Sequence, residues 1–139
     1  MKTILLAAGQ SKRVKPIDDK CFIKICGKTL IEWQIQALQN AGFKDLVIVG
    51  NADNVERLRQ LKIDGAEMSV VEQNDLKLGM LGALLAAKQE VIREDAILVV
   101  SSNDVVEEKL WKRLALSVEG LENDGFLVGY RVSRYFPGG

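Results

Sequence analysis

Residues 5–16 read LLAAGQSKRVKP, an apolar run that stops at Gly9 and passes at once into a basic segment. With the residues before it, the run makes a short, continuously apolar strand over 2–8, KTILLAA. A strand without polar alternation must be covered on both faces, which is the condition of a parallel sheet and not of a half-solvated antiparallel one. Ser11, Lys12, Arg13 and Lys15 therefore stand directly behind the end of a buried strand.

The same alternation continues along the chain. TLIEWQIQALQNAG (29–42) has helical spacing, with Ile31, Ile35, Leu38 and Ala41 on one face. Thr29 and Glu32 make a capping-box pattern at its start, and Gly42 is a stop. KDLVIVG (44–50) predicts a second buried strand, DNVERLRQL (53–61) a second helix and AEMSVVEQ (66–73) a third strand. LGALLAAKQEVI (81–92) predicts a third helix, DAILVVSS (95–102) a further strand, residues 105–117 a last helix and GFLVGYRV (125–132) a last strand. Apolar strands separated by amphipathic helices predict an α/β chain, a Rossmann-like three-layer sandwich whose mostly parallel sheet carries helices on both faces. No repeat or internal linker divides residues 1–139, so a single domain is expected. The turn signal Pro137-Gly138-Gly139 has nothing after it to turn into, which suggests the N-terminal part of a longer protein.

Composition narrows the chemistry. Lys plus Arg and Asp plus Glu are balanced at 19 each, so no net field points to nucleic acid or an anionic membrane. The chain has no His, which removes Ser-His-Asp and Cys-His centres and His-containing zinc sites from it. Cys21 and Cys26 are the two cysteines, too few for a thiolate metal site and expected to be packing residues in a reduced compartment. Without a signal peptide or a long apolar run, a cytoplasmic location is expected. Trp33 and Trp111, both on predicted helices, are expected in the core or at an interface, and the charges of VVEEKLWKRL on a solvated face.

In an open parallel sheet, ligands bind outside the carboxyl ends of the strands near the switch in strand order. Residues 8–16, 50–54, 72–80 and 101–104 leave such ends. In the first, Gly9 allows close backbone approach to a phosphate, Arg13 offers a bidentate fork, and Lys12 and Lys15 are point charges. A solvated basic turn is the competing reading. The dinucleotide fingerprint is absent from GQSKRV, and GKT at 27–29 lacks a P-loop because Phe22 stands where its leading glycine belongs. In the last segment, Asp104 is placed either to hold Mg²⁺ or to cap the helix expected from Val105. Asn51 and Asp53 likewise sit on the rim, with capping the expected role.

The run ILLAAGQSKRVKP, a Lys at 20, and GKTLIEWQIQALQNAGFKDLVIV resemble the opening of the nucleotidyltransferases that activate sugar 1-phosphates. Those share L-A-A-G-x-[GS]-x-R-[ML]-x-P, then a Lys, then G-K-P-L-I and a helix ending in A-G. The likeness extends through GMLGALLAAK and ILVVSSND, and covers nearly the whole chain. It implies a GT-A-like nucleotide-binding fold, an enzyme of NDP-sugar biosynthesis and Mg²⁺ as cofactor. Leu6, Ala7, Ala8 and Gly9 would wrap the nucleotide, with Ser11 and Lys12 beside them. Arg13 would hold the triphosphate and Lys20 the reacting phosphates, while Gln73 or Asn74 and Gly79 would read the base edge. Asn103 would stand beside the nucleotide and Asp104 would carry Mg²⁺. The sugar phosphate's oxygen would attack the α-phosphorus in line, so no side-chain nucleophile is needed. The implied partners are a nucleoside triphosphate and a sugar 1-phosphate, without nucleic acid or membrane, and a homo-oligomer is allowed.

Three departures accompany the likeness: Asp19 and Thr29 replace prolines, and Asn103 replaces the Gly before the metal Asp. The spacing from Gln73 to Gly79 is one residue longer than in typical uridylyl or thymidylyl enzymes, and Asn74 followed by Gly79-Met80-Leu81 resembles instead the cytidylyltransferase-like and molybdenum-cofactor-type branches. A cytidylyltransferase acting on a small alcohol phosphate and a non-catalytic nucleotide-binding module remain open beside the sugar reading.

Overall fold

The computed structural model describes residues 1–11, 16 and 19–118. The strand expected at 125–132 and the cations Lys12, Arg13 and Lys15 lie outside the described residues.

Among the described residues four parallel strands make the sheet: β1 (Lys2–Leu6), β4 (Asp45–Gly50), β5 (Glu67–Glu72) and β6 (Ile97–Ser101). Between the first two in sequence comes a hairpin of β2 (Lys24–Ile25) and β3 (Lys28–Thr29). The spatial order is β5-β4-β1-β6, so the chain builds outward from β1 and then returns to its other edge. The switch point therefore falls between β1 and β6. Parallel strands need crossovers, supplied here by helices α1 (Leu30–Asn40), α2 (Val55–Arg59) and α3 (Gly79–Val91), with α4 (Glu108–Val118) following β6. Leu5, Leu46 and Ile48 face α1 and α4, packing with Ile31, Ile35, Leu38, Trp111 and Leu114. Their neighbours Ile4, Val47 and Val49 face the other way, onto Ala83 and Ala87 of α3. The expected three layers, with helices on both sides of a mostly parallel sheet, are thus present. No described helix is long and apolar enough to cross a membrane.

Local departures have identifiable causes. The hairpin was not foreseen, because its strands are two residues each; it turns through Cys26 and Gly27, both at positive φ (50° and 86°), a two-residue primed turn. Cys26 is consequently exposed, and only Cys21 is buried, which corrects the expectation that both pack. Trp33 is not in the core. Its Nε1 donates to the Ile25 carbonyl at 2.8 Å and Lys28 lies 5.0 Å from its ring centroid, so it seats the hairpin on α1. Trp111 is buried as expected. The last helix starts at Glu108, not 105: Val105 and Val106 are β-branched, and Val106 packs on the core from the connection that precedes the helix. Asp104 therefore does not cap it.

The capping box at α1 is complete: the Thr29 side chain accepts from the Glu32 N–H, and Glu32 accepts from the Thr29 N–H at 2.7 Å. Those hydrogen bonds, first from the Thr29 hydroxyl and then from its N–H, hold the Glu32 carboxyl below its ordinary range. Thr29→Ala should cost about 1 kcal/mol in urea unfolding. A depressed folded-state pKa adds stability that is present above the unfolded value, about 4.3, and is lost as pH falls through the folded one. Glu32→Gln should accordingly flatten the acid limb of the pH–stability curve below about pH 4.3.

Candidate functional site

At the switch point the ladder runs on past the strand ends. The Ala7 N–H donates to the Val49 carbonyl (2.8 Å), Ser102 to Leu6 (3.0 Å) and Gln73 to Gly50 (2.8 Å). These bonds hold the first residues of three separate connections in register before the chains diverge. The divergence opens a cavity of about 440 Å³.

Most of the residues singled out from sequence meet there. Leu6, Ala7, Ala8, Gly9, Ser11, Lys20, Gln73, Gly79 and Asn103 line the cavity. Asn74 is exposed and is not part of the wall, so of the two expected base-edge side chains the structure brings only Gln73 to the cavity. Asp104 is exposed just beyond Asn103. Lys12 and Arg13 lie outside the described residues. Sequence reasoning missed Gln10, Asp19, Cys21, Leu76, Met80, Ala83, Ser101 and Ser102 of the wall. Gln10 sat inside the quoted motif and could have been named; Asp19 and Cys21 flank Lys20 and carried the same signal.

The first wall is a backbone cradle. A Cβ placed on Gly9 would meet nothing within 4 Å among the described residues, so none of them requires glycine there. Ser11 adopts φ 52°, a left-handed conformation that non-glycine residues rarely hold, and its Oγ accepts from the Lys20 N–H at 3.0 Å. Lys20 opens a single 3-10 turn, Lys20–Phe22, whose N-terminus is capped by Asp19 through the Cys21 N–H (3.1 Å). From the opposite side, Asn51 and Asn54 at the end of β4 donate to the Ala8 carbonyl (3.0 Å) and the Ala7 carbonyl (2.9 Å). Asn51 also accepts from the N–H groups of Asp53 and Asn54, so it shapes the turn before α2 and fastens the cradle; the N-cap position is Asn54, which corrects the expectation that Asn51 or Asp53 caps the helix.

The second wall reads differently. Gln73 is buried and its amide nitrogen donates to both the Asp75 and Gly79 carbonyls, each at 2.9 Å. Two carbonyl partners fix the amide's orientation and leave Oε1 as its remaining polar atom. The Gly79 N–H is likewise turned inward, onto the Leu76 carbonyl. The fit is tight: a Cβ on Gly82 would stand 2.5 Å from Gln73 Nε2 and 2.9 Å from the Asp75 carbonyl. Gln73 thus presents an acceptor to the cavity, held rigidly by a loop closed over α3.

Cys21 contributes packing and no reactivity. Burial pushes its thiol pKa far up, and the hydrogen bond and negative charge of Asp19 push it further, against a smaller opposing effect of Arg57. Among the described residues no three His, Cys, Asp or Glu side chains gather as a metal cluster. Asp104 follows Asn103, whose Oδ1 accepts from Ser101 Oγ at 3.1 Å. Asp19 is the carboxylate of the cavity wall itself, with both oxygens hydrogen-bonded, and the exposed Asp104 beside the wall is a donor of the kind that fits Mg²⁺, which draws most of its ligands from phosphates and water.

Comparison with known proteins agrees with this architecture. The profile of the MobA-like NTP transferase domain matches residues 3–137. A bifunctional sugar-1-phosphate nucleotidylyltransferase/acetyltransferase of Sulfurisphaera tokodaii is 38% identical over 92 residues, which is 63% of this chain and 22% of that protein. The bifunctional protein GlmU of Clostridium tetani is 34% identical over 127 residues, 88% of this chain and 26% of that protein. A CTP:phosphoglutamine cytidylyltransferase of Campylobacter jejuni is 29% identical over 112 residues, 76% of this chain and 44% of its own length. The chain thus spans 22% of the first of these relatives and 26% of the second. In fold it matches UDP-glucose pyrophosphorylase complexed with UDP-glucose at a TM-score of 0.70 and 19% identity, over 86% of this chain and 53% of that one. With nearly its full length matched, the chain belongs to the MobA-like NTP transferase domain family.

Proposed function

We propose that the chain is the nucleotide-binding part of a cytoplasmic, Mg²⁺-dependent nucleotidyltransferase. It transfers a nucleoside monophosphate from an NTP to a sugar 1-phosphate and releases pyrophosphate. The observation that carries this reading is the convergence of Leu6, Ala7, Ala8, Gly9, Ser11, Lys20, Gln73, Gly79 and Asn103, from separate connections, on one cavity at the switch point.

In this reading the backbone of Leu6 to Gly9 binds nucleoside and phosphates. Lys20 contacts the reacting phosphates, while Arg13 and Lys12 offset charge on the departing pyrophosphate. Gln73 accepts a hydrogen bond from the base. The acceptor's oxygen attacks the α-phosphorus in line, so catalysis is positioning and charge stabilisation. Asp104 holds Mg²⁺, which neutralises phosphate charge when bound. A cytidylyl transfer to another phosphorylated acceptor is the second reading, favoured by the Campylobacter relative, which this chain matches over 44% of that protein's length.

The test is pyrophosphate release by the full-length protein from ATP, GTP, CTP, UTP and dTTP, each with Mg²⁺ and a sugar 1-phosphate. Release with one nucleotide supports the first reading; release with CTP that requires a non-sugar phosphate selects the second. Silence with all five on a sugar 1-phosphate overturns the first reading, and silence with CTP on a panel of non-sugar alcohol phosphates overturns the second. Arg13→Ala should lower kcat by about 10²-fold or more. Nucleotide at a hundredfold excess over its Kd should add about 2.7 kcal/mol to stability. Gly9→Ala should leave Tm unchanged without nucleotide yet shrink that nucleotide-induced shift, because Gly9 lines the cavity and an added methyl group meets none of the described residues. Gly82→Ala should raise KM and relax base selection by displacing Gln73, measured as KM across the nucleotide panel.

A further inference from the structure

We infer that Asp19 and Asn54 are a positioning pair that sets Lys20 against the nucleotide cradle; this rests on the nucleotidyl-transfer reading above. A single 3-10 turn cannot hold its own orientation, so the Lys20–Phe22 turn depends on its attachments. Asp19 supplies the main one. Its Oδ1 caps the turn through the Cys21 N–H, and its Oδ2 accepts from Asn54 Nδ2 at 2.6 Å. The other hydrogen of the same amide goes to the Ala7 carbonyl at 2.9 Å, in the cradle itself. One buried NH₂ group therefore ties the strand exit that binds nucleotide to the carboxylate that orients the lysine turn.

Asn54 is fixed in turn, since its Oδ1 accepts from the Asn51 N–H at 2.9 Å. Helix α2 sits so close to the end of β4 that a Cβ on Gly50 would lie 2.7 Å from Asn54 Oδ1 and 3.3 Å from the Val55 Cα. Arg57, one turn along α2, lies over the Phe22 ring at 3.7 Å and grips the far end of the lysine turn. A carboxamide meets the demands at position 54, where Asp has no hydrogen to donate and Ser has one where two are used.

A carboxylate in a cavity that takes phosphates is not there to bind them, and neutral hydrogen-bond donors hold it in place without cancelling its charge. Both Asp19 oxygens are committed, to Cys21 and Asn54. Asp19 also stands where the resembling nucleotidyltransferases carry proline. At φ −140° it lies outside proline's range near −65°, so this chain enters the turn by another path and stiffens it with hydrogen bonds instead of a ring.

The test measures kcat, KM for the NTP and the Mg²⁺ half-saturation of the full-length protein carrying Asp19→Ala, Asp19→Asn, Lys20→Ala and the Asp19→Ala/Lys20→Ala pair. Asp19→Ala should lower kcat by about ten- to a hundredfold, with KM within about threefold, as misplacement of one catalytic group does. Asp19→Asn keeps one acceptor but sets an NH₂ against either the Cys21 N–H or the Asn54 amide, so it should recover only part of that loss. In the Lys20→Ala background Asp19→Ala should have no further effect, because it acts through the lysine. If Asp19→Ala does not fold, Asp19→Ser, which keeps a cap on Cys21 but cannot reach Asn54, carries the same cycle. An active wild type whose double variant shows additive losses, or whose Asp19 variants shift the Mg²⁺ half-saturation, overturns the positioning role alone. A wild type that releases no pyrophosphate overturns the transfer reading and this pair with it.

Discussion

The parallel pairing of β1 with strands on both its edges is the constraint on which the remainder depends. Thr3 to Leu6 align with Leu46 to Val49 on one side, and Lys2 to Leu6 with Ile97 to Ser101 on the other. With both edges paired and both faces covered, the backbone of β1 has nowhere to go at its carboxyl end except outward between its neighbours. The sheet then carries three connections out of register-locked strand ends, and the space between them is the cavity. Mutual support of this kind explains why the cradle can be made of Ala7, Ala8 and Gly9, residues with almost no side chain of their own.

What could be read in the sequence was what is local. The buried strands announced themselves as unbroken apolar runs, and the capping box of α1 lies within four residues. Such signals are complete in a short window because the causes act there. The hairpin escaped because two-residue strands leave no periodicity, even though Cys26-Gly27 carries the turn. The start of α4 was placed three residues early because an Asp before a predicted helix looks like a cap, whereas packing of Val106 on the core decided the boundary. The sheet itself was foreseen; its strand order, and so the identity of the switch point, needed the structure.

The site divides along the same line. Leu6 to Gly9, Ser11 and Lys20 were named because they lie in one motif near the N-terminus. Asn54 was not, since it meets Ala7 across 47 residues and Asp19 across 35, and nothing in its neighbourhood marks it. Asp19 was noticed only as a departure from a proline. Gln73 was named for the base, yet the contacts that orient it come from the Asp75 and Gly79 carbonyls and from the absence of a side chain at Gly82. A residue's identity is visible in one dimension, while the partners that determine what its polar atoms can still do are not.

That distinction bears on how such a site separates binding from chemistry. On the proposed reading the base lies against a loop in which Gln73 Nε2 and the Gly79 N–H are used internally, leaving Gln73 Oε1 as the acceptor that would select it. The phosphates would lie at the other end, against Ser11 and a three-residue turn braced by Asn54 at the start of α2. The Lys20 N–H is held by Ser11, and the turn it opens is capped by Asp19, which Asn54 fastens to the cradle. Selection of the base and placement of the lysine would then rest on different residues, a division that follows from the strand order.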